Sequence, residues 1–347
     1  MSSLFTGTSD FFGLDIGTTG VRLVELRGNG NPKALVKYAY VPLEGNIAVS
    51  EAQADQQKLA KVIQDLVSQS KVTTRNAAVG IPSSRVFTTV AEVDRLASDE
   101  LNKAIRYQAD ALIPTPIAES KIDWSVIGDS PKDKLKQEII LSSVPNNFVE
   151  RQLDMLESIG LNVIAFEPDN LAMARSLASP EPAAQLLLDV GRRSSDMVIV
   201  SGGTPHLTRS IPTGVEAVVR SATQNLSIDE KQAEQFVFKF GLSKDKLEGQ
   251  VFQAISGTVD LLSNELEKSI KFFQTRYPDT KIEKIIVTGG AAVIPEFPLF
   301  IANKFGVSVE IGNAWRNVSF SADRQNELLA ISNQFAVAVG LAQRDAL

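Results

Sequence analysis

Leu14-Asp15-Ile16-Gly17 returns in the second half of the chain as Leu188-Asp189-Val190-Gly191. The glycine that closes the following hairpin recurs at the same offset from the aspartate, as Gly28 and again as Gly202. In each copy an apolar strand ends in an acid, a tight turn follows, and the chain returns as a second strand and then a third. A repeated supersecondary unit of this size is the signature of two homologous lobes. That repeat restricts the fold more than any other feature of the sequence.

The elements around the repeat are α/β throughout. In the first half, residues 11–16, 21–26 and 34–41 read as strands, with Gly28-Asn29-Gly30-Asn31-Pro32 as a strong turn. Leu59, Val62, Ile63, Leu66 and Val67 fall at helical spacing, and 77–81 reads as a buried strand. Residues 83–165 are expected to form an inserted unit. It holds a strand at 86–93, a helix from Ser98 stopped by Ile113-Pro114-Thr115-Pro116, strands near 122–126 and 139–144, and a helix ending at Gly160. A strand at 161–166 and a helix at 171–177 lead into the second copy. There, strands at 186–189, 197–200 and 207–211 precede helices from Gly214 and over 230–240. A long amphipathic helix then carries Ile255, Val259, Leu262, Leu266, Ile270, Phe273 and Tyr277. A buried strand at 284–287, a helix from Pro295 to Gly306 and a strand at 307–311 follow, and 335–341 reads as a buried helix. The expected division is lobe one at 1–82, 166–184 and 334–347, the insert at 83–165, and lobe two at 185–333.

Composition removes several classes of function. The 347 residues suit two domains or one bilobed unit, with 44% apolar and 22% charged residues. Lys plus Arg is 35 against 41 for Asp plus Glu, a net charge of −6, which does not suit a nucleic-acid coat. There is no cysteine and a single histidine, His206. Thiolate metal sites, disulfides and multi-histidine centres are therefore excluded, and any metal must be held by oxygen, as magnesium or calcium is. No apolar run of roughly 18 residues occurs, so no spanning helix is expected. Residues 1–10 lack the pattern of a signal peptide, and a cytoplasmic location is expected.

The chemistry sits at the strand ends. Asp15 and Asp189, at matching positions of two lobes, are expected to face one cleft and share a magnesium ion, Asp189 through metal-linked water. Beside Asp15 the turn of Gly17, Thr18, Thr19 and Gly20 offers backbone N–H groups and hydroxyls to a phosphate. Beside Asp189, Gly191, Ser194 and Ser195 offer the same. Thr288-Gly289-Gly290-Ala291, at a strand end before a helix, allows close approach of a flat nucleoside. Taken singly these are ordinary turns; together, in this order, they point to a nucleotide. A Walker A loop and a full GxGxxG fingerprint are absent. Of the remaining features, His206 is expected at the surface and the charged run 131–138 as a solvated hairpin tip. Trp124, Trp315 and the phenylalanines of 236–240 are expected to pack.

With these residues in view, the chain resembles the actin-like ATPase superfamily, which includes actin, MreB, FtsA, sugar kinases and heat-shock chaperones. Residues 12–26 resemble its first phosphate motif, 188–195 its second, and 287–291 its adenosine motif. Within the superfamily it resembles the PilM family of type IV pilus assembly proteins, notably over 106–116, 265–273 and 334–342. The resemblance implies two RNase H-like lobes around a nucleotide cleft, with the FtsA/PilM-type subdomain inserted in lobe one. It implies ATP with Mg2+, weak or absent ATPase activity, and a ring or filament. It also implies a partner, the N-terminal cytoplasmic peptide of a PilN-type inner-membrane protein, which would keep the chain cytoplasmic and peripheral to that membrane. Arg22 stands where the family usually has lysine. Gly214 and Glu234 join the cofactor set by the same resemblance, although Val237 replaces a lysine beside Glu234. Glu167, before Pro168, matches a carboxylate that orients water elsewhere in the superfamily, though an exposed loop carboxylate after the strand is the stronger expectation. Two rivals are an FtsA-like division protein, whose membrane helix has no counterpart after residues 343–347, and a small-molecule kinase.

Overall fold

The structure, a computed structural model, describes residues 10–344 apart from Asn29, with Ser98 described in its backbone only. The N-terminal stretch before Asp10, residue 29 of the expected turn, and the final residues 345–347 lie outside the described residues.

Leu14 and its neighbours form β1 (Phe12–Gly17), followed by β2 (Gly20–Arg27) and β3 (Lys33–Pro42). α1 (Gln53–Ser70) then leads to β4 (Asn76–Ile81). Next come β5 (Phe87–Asp94), α2 (Ser98–Leu112), β6 (Ser120–Asp129) and β7 (Lys136–Pro145). α2 stops at Ile113, whose extended backbone is what the following proline demands. α3 (Asn146–Ser158) ends before Gly160, whose φ of 80° takes the left-handed turn, and β8 (Asn162–Pro168) and α4 (Asp169–Leu177) follow. The second copy supplies β9 (Ala184–Val190), β10 (Ser195–Ser201) and β11 (Thr204–Ile211). Helices α5 (Val215–Leu226), α6 (Glu230–Phe240) and α7 (Gln250–Arg276) come next. They lead to β12 (Ile282–Gly289), α8 (Phe297–Phe305), β13 (Ser308–Ile311) and β14 (Val318–Ser319). The described chain closes with α9 (Gln325–Ile331) and α10 (Ala336–Ala342).

The repeat is visible in strand order. One sheet runs β14-β3-β2-β1-β4-β8, and the other runs β11-β10-β9-β12-β13. Without β14, each places its third, second, first, fourth and fifth strands in the same succession. In each, the first three strands are antiparallel and the last two join in parallel. The third sheet, β5-β7-β6, belongs to neither copy.

The described residues divide into two compact units. The first unit contains the six-stranded sheet, with α1 and α3 burying Leu59, Ile63, Leu66 and Leu156 against Phe12, Leu14 and Leu23. Each such side chain contributes about 1.5–3 kcal/mol of burial. α10 covers the other face, so close that a Cβ on Gly13 or Gly340 would run into the backbone of Ala338 or Ala172. The second unit contains the five-stranded sheet with α5–α8 around Leu186, Leu188, Ile255, Leu262 and Leu266. It also contains residues 83–147, whose own small core joins Ile105 of α2 to Ile139 and Leu141.

The two units divide the chain differently from the expected lobes. β8 hydrogen-bonds β4 from within the six-stranded sheet, so the segment from α3 onward leaves the insert and joins the first unit. β14 pairs with β3, and buried Trp315 stacks on Phe335, so residues from Asn313 belong to the first unit rather than lobe two. Residues 83–147, expected with lobe one, group with the second unit. A strand pairing across a sheet cannot be read from local periodicity, which is why β8 and β14 group differently from the expected division.

Candidate nucleotide site

Asp15 lies near the end of β1 with 6% exposure, and the antiparallel register sets it directly opposite Arg22 on β2. Cross-strand neighbours share a face, so the two side chains meet. Arg22 Nη1 lies 3.4 Å from Asp15 Oδ2 and also donates to the Gly20 carbonyl at 3.2 Å. Its Nη2 donates to the Thr19 hydroxyl at 3.3 Å, and the guanidinium stands 5.2 Å from the Tyr40 ring centre. Burial pushes the Asp15 carboxyl above its ordinary range, while the Arg22 charge and hydrogen bond pull it back. Arg22 therefore braces the first hairpin from inside, binding the acid and the turn together. A Cβ on Gly17 would press on that guanidinium at 2.9 Å. Thr18, half-buried, and exposed Thr19 form the turn itself.

The second hairpin has the same backbone and different charges. Asp189 is the penultimate residue of β9, in register with Asp196 on β10 and Thr288 on β12. An acid thus stands where the first hairpin has its arginine. Burial lifts the Asp196 carboxyl to about 6, against a hydrogen bond from Ser210 that lowers it. Its Oδ1 is buried and meets no hydrogen-bond partner among the described residues. Gly191 N–H bonds the Ser194 carbonyl at 2.9 Å, which closes the turn. The Gly191 and Arg192 carbonyls then accept from Val215 and Glu216 N–H at 2.9 and 2.8 Å, so the hairpin caps the start of α5. Gly214 is the hinge of that contact, since a Cβ there would come within 2.6 Å of the Arg192 carbonyl.

Gly289 completes this end of the second sheet. Its φ is 77°, and a Cβ would land on Asp189 Oδ1 and within 2.7 Å of the Val190 carbonyl. The glycine is required because the aspartate carboxylate uses its space. Gly290 follows, where a Cβ would meet only ordinary contacts with Val215 and the Val190 carbonyl.

Lobe one thus gathers Asp15, Gly17, Thr18, Thr19 and Arg22, and lobe two gathers Asp189, Gly191, Ser194, Gly214, Gly289 and Gly290. Four expectations are corrected. Ser195 is fully buried and donates to the Thr213 carbonyl at 2.6 Å, so its hydroxyl is spent inside the fold. Ala291 packs in the lobe-two core rather than toward a ligand. Glu167, 5% exposed, is clamped by Arg175 at 2.5 Å and Arg344 at 3.1 Å, which fits a structural ion triad and not a base poised on water. His206 is half-buried against Tyr277 rather than at the surface. Glu234 is exposed on α6, while Val237 is core, so no lysine could face a ligand from that position. Asp196 is not among the expected residues, although the offset from Asp15 to Arg22 is repeated from Asp189 to Asp196 and marks its position. Among the described residues no cluster of three or more acids or histidines is arranged to hold a metal.

Two sheets of one strand order, each carrying an aspartate at the tip of its first strand and a glycine-bearing hairpin beside it, define an actin-like ATPase fold. The description "Type IV pilus assembly protein PilM" is that of a family whose model matches residues 13–346, and the chain belongs to that family. Among solved structures, it is similar to a PilM-PilN type IV pilus biogenesis complex, with a TM-score of 0.83, 23% identity, and coverage of 97% of this chain and 98% of that one. It is also similar to the ethanolamine utilization protein EutJ from Carboxydothermus hydrogenoformans, with a TM-score of 0.55, 15% identity, and coverage of 95% and 88%. MreB5 of Spiroplasma citri bound to AMPPNP gives a TM-score of 0.54, 14% identity, and coverage of 96% and 95%.

Proposed function

We propose that this chain is an ATP-binding scaffold of type IV pilus assembly, which docks the N-terminal cytoplasmic segment of a PilN-type inner-membrane protein. The observation that carries the nucleotide reading is the matched pair of acid-tipped hairpins, one in each lobe, with Gly289 shaped around Asp189. Asp15 in lobe one and, in lobe two, Asp189 beside Asp196 are each oxygen donors of the kind that hold magnesium through water, and the metal would offset phosphate charge. In lobe one, Thr18 and the turn backbone would bind phosphate oxygens while Arg22 holds Asp15 in place. In lobe two, Gly191 and Ser194 would do the same, and Gly289 and Gly290 would admit the nucleoside.

Glu167 has no freedom to act as a general base, which supports weak or absent hydrolysis. The partner reading is supported by family membership and by likeness to a structure of a PilM-PilN complex. Family membership also favours it over an FtsA-like division protein or a small-molecule kinase. No helix among the described residues is long and apolar enough to cross a membrane, in keeping with attachment through a partner at the cytoplasmic side of the inner membrane. Self-association into a ring or filament belongs to the same reading.

Calorimetric titration of the purified chain with ATP, with and without magnesium, tests the nucleotide. Titration with N-terminal peptides of PilN-type proteins tests the partner. The reading expects ATP binding strengthened by magnesium and saturable peptide binding; absence of either removes that half of it.

A further inference from the structure

Glu138 sits at the end of the charged run expected to be a solvated hairpin tip, yet it is 1% exposed. Its partners come from elsewhere in the second unit. Arg276, the last residue of α7, donates from Nε to Glu138 Oε1 at 2.7 Å, and its Nη2 forms an ion-pair contact with the same oxygen, also 2.7 Å away. The Tyr277 hydroxyl donates to Oε2 at 2.6 Å. Arg276 Nη1 reaches back to the Val90 carbonyl on β5 at 3.3 Å. His206 on β11 packs edge-on against Tyr277, with Nδ1 3.2 Å from its hydroxyl. Burial and the neighbouring Glu138 charge push the Tyr277 hydroxyl upward, so it stays a donor.

One buried carboxylate therefore joins β7 and β5 of the small sheet to the end of α7 and the edge strand β11. A carboxylate and a guanidinium buried together resist separation, because parting them would leave each desolvated and uncompensated. Covalent continuity runs the other way. Residues 83–147 leave the chain after β4 and rejoin it at α3, both in the first unit. The segment is spliced into one lobe and ion-locked to the other.

We propose that residues 83–147 move as part of lobe two, with Glu138 as the coupling residue. Resting on the nucleotide reading above, any nucleotide-dependent displacement of lobe two then carries this segment and whatever partner it holds, while lobe one is the body left behind. The nucleotide state reaches the segment through an ion lock and needs no contact between nucleotide and partner. Glu138 is a positioning residue here.

The chain has no cysteine, so engineered pairs label uniquely. Spin labels at Tyr107→Cys, on a residue 91% exposed on α2, and at Lys268→Cys on α7 report the distance across the lock. Labels at Tyr107→Cys and Lys58→Cys on α1 report the distance from the segment to lobe one. In the nucleotide-free chain, the Tyr107–Lys268 distribution is expected to be narrow, and to broaden at least twofold in Glu138→Gln and in Tyr277→Phe, with each variant's fold checked by circular dichroism. A distribution as narrow in both variants as in the parent overturns the proposal. If Glu138→Gln fails to fold, Tyr277→Phe alone decides. On addition of magnesium ATP, the Tyr107–Lys58 distance is expected to shift while Tyr107–Lys268 holds. Equal shifts of both distances, or no shift in either despite calorimetric binding, overturn the coupling. If calorimetry detects no ATP binding, the nucleotide reading falls and the nucleotide-free comparison still judges the lock.

Discussion

The two hairpins differ at one cross-strand position more than anywhere else. In lobe one the strand-tip acid faces Arg22, and in lobe two it faces Asp196. The first arrangement is self-neutralising: the acid is buried, paired and fixed. The second stacks acid beside acid, and burial holds one of them well above the ordinary carboxylate range. A repeat can thus keep a backbone while dividing labour. The first hairpin supplies a preformed, charge-balanced cradle, and the second sets two acids side by side, a pair that a bound cation would favour.

The strongest way to break the comparison is at Gly289, the glycine the second hairpin cannot give up. Gly289→Ala combines a left-handed φ with a Cβ driven into Asp189 and the Val190 carbonyl. It is expected to destabilise the chain by about 3 kcal/mol or more and to abolish nucleotide binding. Chemical denaturation and nucleotide titration read the two effects.

Next in size is the brace of the first hairpin. Arg22→Ala leaves Asp15 buried without its counter-charge and is expected to cost about 2–4 kcal/mol near neutral pH. The sign follows from the carboxyl itself. Without Arg22, the raised Asp15 pKa rises further, so stability is highest where the acid is protonated and falls as pH climbs. The deficit relative to the parent should therefore shrink in acid, and denaturation at a series of pH values checks it. Arg22→Lys should restore part of the loss, since a lysine keeps the charge but not the fork that reaches Asp15, Gly20 and Thr19 together.

The second hairpin should respond with the opposite sign. Asp196 titrates at about 6 when folded, above its ordinary value. Its ionisation then opposes folding, an effect absent below about pH 4, growing between there and about pH 6, and complete above. Asp196→Asn should thus stabilise the nucleotide-free chain by about 2 kcal/mol at neutral pH and by nothing in acid. Magnesium-dependent nucleotide affinity should fall in the same variant, because the asparagine cannot balance a cation. A stability profile parallel to that of the parent would contradict the assigned charge state.

Most of the fold was legible, and the reason is physical. Strands and helices announce themselves by local period, as Leu59, Ile63 and Leu66 do on α1, and the repeat of Asp15 in Asp189 carried the two-lobe architecture. What stayed hidden depends on long-range pairing. Nothing near Val318 says that it will join β3, and nothing in the run 131–138 says that Glu138 will turn inward to Arg276. Within the site, side-chain type misled where burial decides. A serine in a phosphate-like hairpin reads as a ligand until its hydroxyl is found spent on a carbonyl, as at Ser195.

That serine gives the smallest and cleanest test. Lobe one has Val21 at the matching position, equally buried, so the comparison asks whether Ser195 is there for its hydroxyl toward a ligand or toward the fold. Ser195→Ala removes the bond to Thr213 and leaves that carbonyl short of a partner, just before the Gly214 hinge. The expected cost is about 1 kcal/mol of stability, the size of one buried hydrogen bond. Nucleotide affinity should stay within about twofold of the parent, because a hydroxyl already donated inward has nothing left to give a phosphate. Thr18→Ala, its lobe-one counterpart in expectation, should do the reverse, lowering affinity with little change in stability, since Thr18 sits in the turn rather than in the core. If instead Ser195→Ala lost affinity and kept stability, the two hairpins would be equivalent in how they hold a ligand, and the division of labour between them would be wrong.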